Sequence, residues 1–157
     1  MQLFSFFLIT HIITGTICLI VGLFAILARK KNGNHTLLGS VYHWMYVIIF
    51  VTSIVMAMMH WEESSHLFFV AIFSYSFALV GYIAAKRKRK NWLSLHIPGM
   101  LGSYIGIITA ILVNNGEDII LINQLPPLIL WFLPTIVGTP FIFLAVHKYT
   151  ASKKKAV

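Results

Sequence analysis

The sequence predicts an all-α integral membrane protein with five membrane-spanning helices. Of its 157 residues, 59% are hydrophobic and only 10% are charged, and a mean hydropathy of +0.85 is far above that of soluble domains. Five apolar stretches contain no Asp, Glu, Lys or Arg, and each is long enough to cross a hydrocarbon layer about 30 Å thick. We expect a single transmembrane domain over residues 1–157, with a four-helix core and a fifth helix kinked by proline.

The predicted spans follow one another with short connections. The first, residues 3–28, is interpreted as a retained span, because Met1-Gln2-Leu3 lacks the basic leader of a signal peptide. The others are residues 36–60, 66–85, 92–113 and 125–147. Pro134 and Pro140 in the last span predict a kink or a locally unwound turn. Before that span, Ile119-Ile120-Leu121-Ile122 predicts a short helix at the outer interface.

Charged residues alternate between successive connections. All 12 basic residues lie in the first connection, the third connection or the C-terminal tail, and all four acidic residues, Glu62, Glu63, Glu117 and Asp118, lie in the second and fourth connections. Because Lys and Arg are retained on the cytoplasmic side, this pattern predicts an outside N-terminus and a cytoplasmic C-terminus in a bacterial cytoplasmic membrane. The net charge of +8 is attributed to loops beside anionic lipid head groups, not to nucleic acid.

Small and polar residues form stripes at spacings of three and four along four spans, which predicts the faces that pack together. The first stripe contains His11, Gly15, Cys18 and Gly22, and the second contains His35, Gly39, His43, Tyr46, Phe50, Ser53, Ala57 and His60. The third contains Ala71, Ser74, Ala78, Gly81 and Ala85, and the fourth contains His96, Gly99, Ser103, Gly106 and Ala110. Cys18 is the single cysteine, so no disulfide within the chain and no cysteine cluster can form.

Histidines on these stripes are the candidate functional residues, because an ionisable side chain in hydrocarbon is costly unless it faces protein, water or a ligand. By helical rise, His43 and His96 lie roughly 10 Å and 6 Å above the cytoplasmic helix ends, so they could share one centre. His11 lies roughly 12 Å below the outer surface. His60 and His66 are placed at that surface, and His35 lies at the cytoplasmic interface.

Three functions follow from these residues. The leading hypothesis is a haem b held by His96 with His43, His35 or His11, in the space beside Gly39, Gly99 and Gly102, for electron transfer. Zinc or copper on the same four histidines is the alternative to haem.

The rival function is a non-enzymatic accessory or assembly factor in which the histidines are interhelical hydrogen-bond donors, with a membrane protein or a second copy as partner. A third function is small-molecule or lipid binding at a cavity lined by Trp131, Pro134 and Gly138. No catalytic residue is predicted, because the spans contain no carboxylate and no phosphate-binding glycine motif occurs. If the chain is an enzyme, it is expected to be a membrane redox protein.

A family resemblance rests on four segments that keep their order along most of the chain. They are residues 35–42 (HTLLGSVY), His96, the pairs Ser103-Tyr104 and Thr109-Ala110, and residues 131–140 (WFLPTIVGTP). With them the chain resembles a family of small bacterial predicted membrane proteins of unknown function. The resemblance implies the same multi-pass architecture and favours His11, His35 and His96 over His43. It implies no activity or substrate.

Overall fold

The computed structural model describes residues 2–30, 33–120 and 122–154, without the side chains of residues 117 and 152–154. The described residues leave out Leu121 of the predicted short helix, Lys31 of the first connection and Lys155 of the tail. The helices are α1 (Gln2–Leu27), α2 (Asn34–Met59), α3 (Trp61–Arg87), α4 (Trp92–Asn115) and α5 (Pro127–Lys154), with a 3-10 helix at Gly116–Asp118. The described residues contain no strand, which confirms the all-α prediction.

All five α-helices are long and apolar enough to cross a membrane. Their bounds agree with the predicted spans, with the largest differences at the start of α3 and the end of α5. The agreement is expected, because the hydrocarbon of a membrane offers no hydrogen-bond partners. Backbone N–H and C=O groups there must be paired within their own helix, so an apolar stretch long enough to span is helical throughout. The orientation of the helices in the membrane stays a prediction.

The start of α3 differs from the prediction, because the spans predicted over residues 36–60 and 66–85 leave Trp61 to Ser65 in a loop. These residues form the first turn of α3, and His60 alone separates α3 from α2. The His60 N–H donates to the Met56 carbonyl at 3.1 Å, which closes the end of α2. Glu62 and Glu63 lie in the first turn of α3, where negative charge is favourable at the positive end of the helix dipole.

α5 and the connection before it differ from the sequence prediction in two further ways. α5 is helical throughout, including Pro134 and Pro140, so no turn is unwound there, and it continues to Lys154 instead of ending near His147. In the fourth connection, the 3-10 helix at Gly116–Asp118 precedes the isoleucines. Ile119 itself is extended, with φ −92° and ψ 108°, so the short helix lies earlier in the chain than predicted.

The chain divides into two compact units, Met1–Tyr75 and Ser76–Val157. In the first unit α1 packs along α2, and in the second unit α4 packs along α5. The boundary falls within α3. The single domain over residues 1–157 stays a prediction.

Burial confirms the predicted stripes in part. Cys18 and Gly22 of α1 are buried, as are Ser74, Ala78 and Gly81 of α3 and Gly99 and Ser103 of α4. In α2, His43, Tyr46 and Ala57 are buried as predicted, but Tyr42, Ile49 and Thr52 are buried as well. The buried face of α2 is therefore wider than the predicted stripe and includes β-branched and aromatic residues beside it.

The backbones of α3 and α4 meet at Gly81 of α3 and Gly99 of α4. A Cβ atom built on Gly99 would lie 2.6 Å from Cα and N of Gly81 and 2.8 Å from the Phe77 carbonyl oxygen. A Cβ atom on Gly81 would lie 2.8 Å from the backbone N of Met100. Glycine is therefore required at both positions for the two backbones to touch.

Candidate functional site

His11 joins α1 to α2 through its ring. Its Nδ1 is 2.9 Å from Thr52 Oγ1 and 3.5 Å from Ser53 Oγ. The Thr52 hydroxyl donates its proton to the backbone, with the Ile48 and Ile49 carbonyl oxygens both at 2.9 Å. Since a hydroxyl has one proton, the Thr52 oxygen accepts at His11, and the imidazole Nδ1–H donates.

His35 has the same arrangement at the other end of the same helix pair. It lies in the first turn of α2, and its Nδ1 donates to the Ala25 carbonyl of α1 at 2.7 Å. Lys30 Nζ donates to the Ile26 carbonyl at 2.8 Å and to Ala25 at 3.4 Å. Both side chains therefore satisfy carbonyls in the last turn of α1, which have no partner within the helix. Burial lowers the pKa of the Lys30 amine from its ordinary value.

His96 repeats this arrangement in the second unit. It lies near the start of α4, and its Nδ1 donates to the Gly81 carbonyl of α3 at 2.9 Å. The acceptor residue is also the glycine at which the backbone of α3 contacts that of α4, so the bond and the glycine contact hold the same part of the helix pair together. The Trp92 ring lies 5.6 Å from the imidazole, between ring centroids.

Three of the four candidate histidines thus share one tautomer. Their Nδ1 atoms face acceptors, two of which are backbone carbonyls that can only accept. In the neutral ring the lone pair is then on Nε2. This is also the arrangement found in many metal-ligating histidines, where a hydrogen bond at one ring nitrogen orients the other toward the metal. The geometry accordingly supports either a structural or a ligating role.

His43 differs from these three, because its surroundings are aromatic. The side chain is 4% exposed, and its ring stacks on Tyr75 at 6.2 Å between centroids with an interplanar angle of 25°. Tyr75 also stacks on Phe50 at 4.5 Å and lies 6.0 Å from Tyr46. We call these four residues the aromatic cluster.

Polar contacts complete the aromatic cluster on the α3 side. Tyr46 is 2% exposed and hydrogen-bonds Ser74, whose hydroxyl donates to the Val70 carbonyl at 2.7 Å. The Ser74 oxygen is therefore the acceptor for the Tyr46 hydroxyl. The predicted stripe of α2 contains His43, Tyr46 and Phe50. Tyr75 is one position off the stripe of α3, so the spacing does not predict it.

The first unit keeps its three candidate histidines apart. Thr52, the partner of His11, lies roughly 13 Å along α2 from His43 at the helical rise, and His35 lies roughly 12 Å from His43 in the other direction. His96 belongs to the second unit, and its pairing with His43 stays a prediction. Within the described residues, no three His, Cys, Asp or Glu side chains form a group that could hold a metal ion.

The space that the haem hypothesis requires is partly filled. Gly99 packs on Gly81, and a Cβ atom on Gly102 would lie 3.1 Å from the Phe77 ring. Gly39 has nothing within 4 Å of such an atom. Of the three glycines, Gly39 alone therefore borders open space.

The remaining candidates lie at the helix ends and on α5. His60 and His66 are exposed, and the His60 ring makes an edge contact with Phe4 at 4.6 Å. Pro134 is buried and Trp131 is half-buried, while a Cβ atom on Gly138 would collide with the Ile105 side chain. A groove of about 200 Å³ on α5 is lined by Leu128, Ile129, Phe132, Leu133 and Ile136. The predicted cavity residues do not line it, and a ligand site there stays a prediction.

The comparisons with known proteins identify a family, and the description of that family names no activity. A family model described as "Predicted membrane protein (DUF2306)" matches residues 8–146. No protein with a curated description and no solved structure matches the chain. The chain therefore belongs to this family of predicted membrane proteins, which confirms the resemblance seen in the sequence.

Proposed function

We propose that this family member is a non-catalytic protein of the cytoplasmic membrane, an accessory subunit or assembly factor whose histidines hold its helices together. The observation that supports the proposal is the shared use of Nδ1–H at His11, His35 and His96. Each of these groups donates to a neighbouring helix of the same unit. The three histidines are therefore engaged in holding helix pairs in register.

The energies of such bonds fit this role. Helices in lipid gain little from hydrophobicity against one another, so close packing and interhelical hydrogen bonds decide which faces meet. One such bond contributes about 0.6 kcal/mol on average, and up to about 1.7 kcal/mol. Three of them, with the glycine contact at Gly81 and Gly99, favour a single arrangement within each helix pair.

The partner we propose is another membrane protein, or a second copy of the chain, packed on the apolar faces of the helices. On α3, Phe69 and Phe73 are 62% and 67% exposed, and such surfaces pack equally well on acyl chains or on another helix. The test is crosslinking in the native membrane followed by quantitative mass spectrometry. We expect one membrane protein, or a self-crosslinked dimer, in stoichiometric amount. A chain that remains monomeric and uncrosslinked would contradict the accessory role.

The second candidate is a haem b or metal protein with a redox role. It is favoured by the bonds at His35 and His96, because Nδ1 donation to a carbonyl is the orientation of many ligating imidazoles. Protein purified from haem-replete native membranes would then show a Soret band that shifts on reduction. Substituting His96 with Asn, which keeps a donor near Nδ1 but has no Nε2, should abolish the band. A band with this behaviour would replace the first proposal, and colourless, metal-free protein would exclude the second.

A further inference from the structure

A groove at the basic end of α1 and α2 is not used by the proposed function. Its volume is about 410 Å³, and its lining residues are Phe24, Leu27, Ala28, Arg29, Asn34 and Leu38. Phe24 and Leu27 are 56% and 70% exposed, so the apolar walls are open to the surroundings of the helix pair. The groove therefore combines an apolar channel with polar side chains at one end.

Among the described residues that line the groove, one is basic and none is acidic. Arg29 lines the groove, whereas the neighbouring Lys30 points its amine at carbonyls of α1. None of the four acidic residues of the sequence lies in the connection between α1 and α2. An anion at the mouth of the groove would consequently meet the Arg29 guanidinium, which can bind a phosphate through two parallel N–H groups.

We propose that this groove binds one anionic phospholipid, with its phosphate at Arg29 and Asn34 and an acyl chain along Phe24, Leu27 and Leu38. Charge complementarity selects the head group, and the apolar walls select a chain-bearing molecule over a soluble phosphate. Basic residues beside a membrane span attract anionic lipids by about 1 kcal/mol each. The lipid would hold the connection between α1 and α2 against the bilayer. This role is independent of the histidine bonds.

The test is native mass spectrometry of the purified full chain, titrated with phosphatidylglycerol or with phosphatidylcholine of the same acyl chains. We expect one phosphatidylglycerol molecule to be retained in preference to phosphatidylcholine. Arg29→Gln should weaken that binding about fivefold, the effect of one basic residue near an anionic lipid. The matched control is Arg87→Gln in the last turn of α3, which removes the same charge beside the other basic connection and should change binding less than twofold.

Two further experiments test how much of the affinity comes from the head-group charge and how much from the acyl chain. Ala28→Phe fills the groove and keeps every charge, so it should greatly reduce the retention of phosphatidylglycerol. Gel filtration with circular dichroism checks that this variant is folded. Glycerol phosphate, which has the charge without the chains, should bind much more weakly than phosphatidylglycerol. Equal losses from Arg29→Gln and Arg87→Gln would overturn the proposal, and so would equal binding of the two lipids or tight binding of glycerol phosphate.

Discussion

An imidazole in a membrane protein can hold two helices together or bind a cofactor. His96 is the position at which substitutions best distinguish these two roles. Its Nδ1 donates to the Gly81 carbonyl at 2.9 Å, so the structural role uses one ring nitrogen and a ligating role would use the other. Asparagine places an amide N–H near the position of Nδ1, whereas glutamine places one near Nε2. Comparing the asparagine and glutamine variants therefore shows which ring nitrogen of His96 contributes to stability.

If the Gly81 bond is what His96 contributes, His96→Asn keeps that bond and should leave the unfolding free energy within about 0.5 kcal/mol of the wild type, less than the worth of one such bond. His96→Leu and His96→Gln should each lose about 1 kcal/mol, the order of one interhelical hydrogen bond in a membrane. Unfolding in mixed micelles with increasing denaturing detergent measures these differences. A His96→Leu variant as stable as the wild type would show that the bond contributes nothing.

The bond between His11 and Thr52 can be isolated by a double-mutant cycle. His11→Phe and Thr52→Val together should show a coupling free energy of about 0.6 kcal/mol, since each change alone already breaks the bond. Thr16→Val is the control, because Thr16 is exposed and its hydroxyl bonds the Ile12 carbonyl of its own helix. Coupling of His11 to Thr16 as large as to Thr52 would contradict the assignment.

At the scale of the helices, close packing is concentrated at particular glycines. Gly81 and Gly99 bring the backbones of α3 and α4 into contact, while Gly15 and Gly39 have nothing within 4 Å of an added Cβ atom. The stripes of small residues predicted the packed faces of α3 and α4. They could not distinguish a glycine in contact from one beside open space, because that depends on where the facing helix lies.

Alanine substitutions make this difference measurable. Gly99→Ala should destabilise the protein by about 1–3 kcal/mol, since overpacking forces the two backbones apart. Gly15→Ala, in a helix interior with free space, should be neutral or stabilising by up to about 1 kcal/mol, because alanine is the better helix former. The same detergent titration compares them. Equal effects at the two positions would contradict the glycine contact.

For the molecule as a whole, the remaining prediction concerns its orientation in the membrane. Glu63 lies in the first turn of α3, and Lys90 lies in the connection between α3 and α4. The positive-inside rule places them on opposite sides of the membrane. In spheroplasts, a membrane-impermeant maleimide should label Glu63→Cys directly and Lys90→Cys only after permeabilisation. Cys18 is buried, so the wild type is the unlabelled control. The reverse labelling pattern would overturn the predicted topology.

The candidate site was predictable in part. The stripes placed His11, His43 and His96 on packed faces, and the structure finds His43 buried and the other two hydrogen-bonded to neighbouring helices. The identity of each partner was not predictable. The acceptors of His35 and His96 are backbone carbonyls, which every residue possesses, so the sequence contains no signal for them.

The sequence by itself determined the five spans and the separation of basic from acidic connections. Both depend on transfer of residues between water and hydrocarbon, which is a property of each residue and adds along a segment. The tertiary structure decided that Nδ1 is the engaged nitrogen of His11, His35 and His96. It also decided that Tyr75 joins His43 in the aromatic cluster and that Arg29 lines a groove. These features depend on the rotation and spacing of neighbouring helices to within about an ångström, a scale at which side-chain packing, and not hydropathy, determines the contacts.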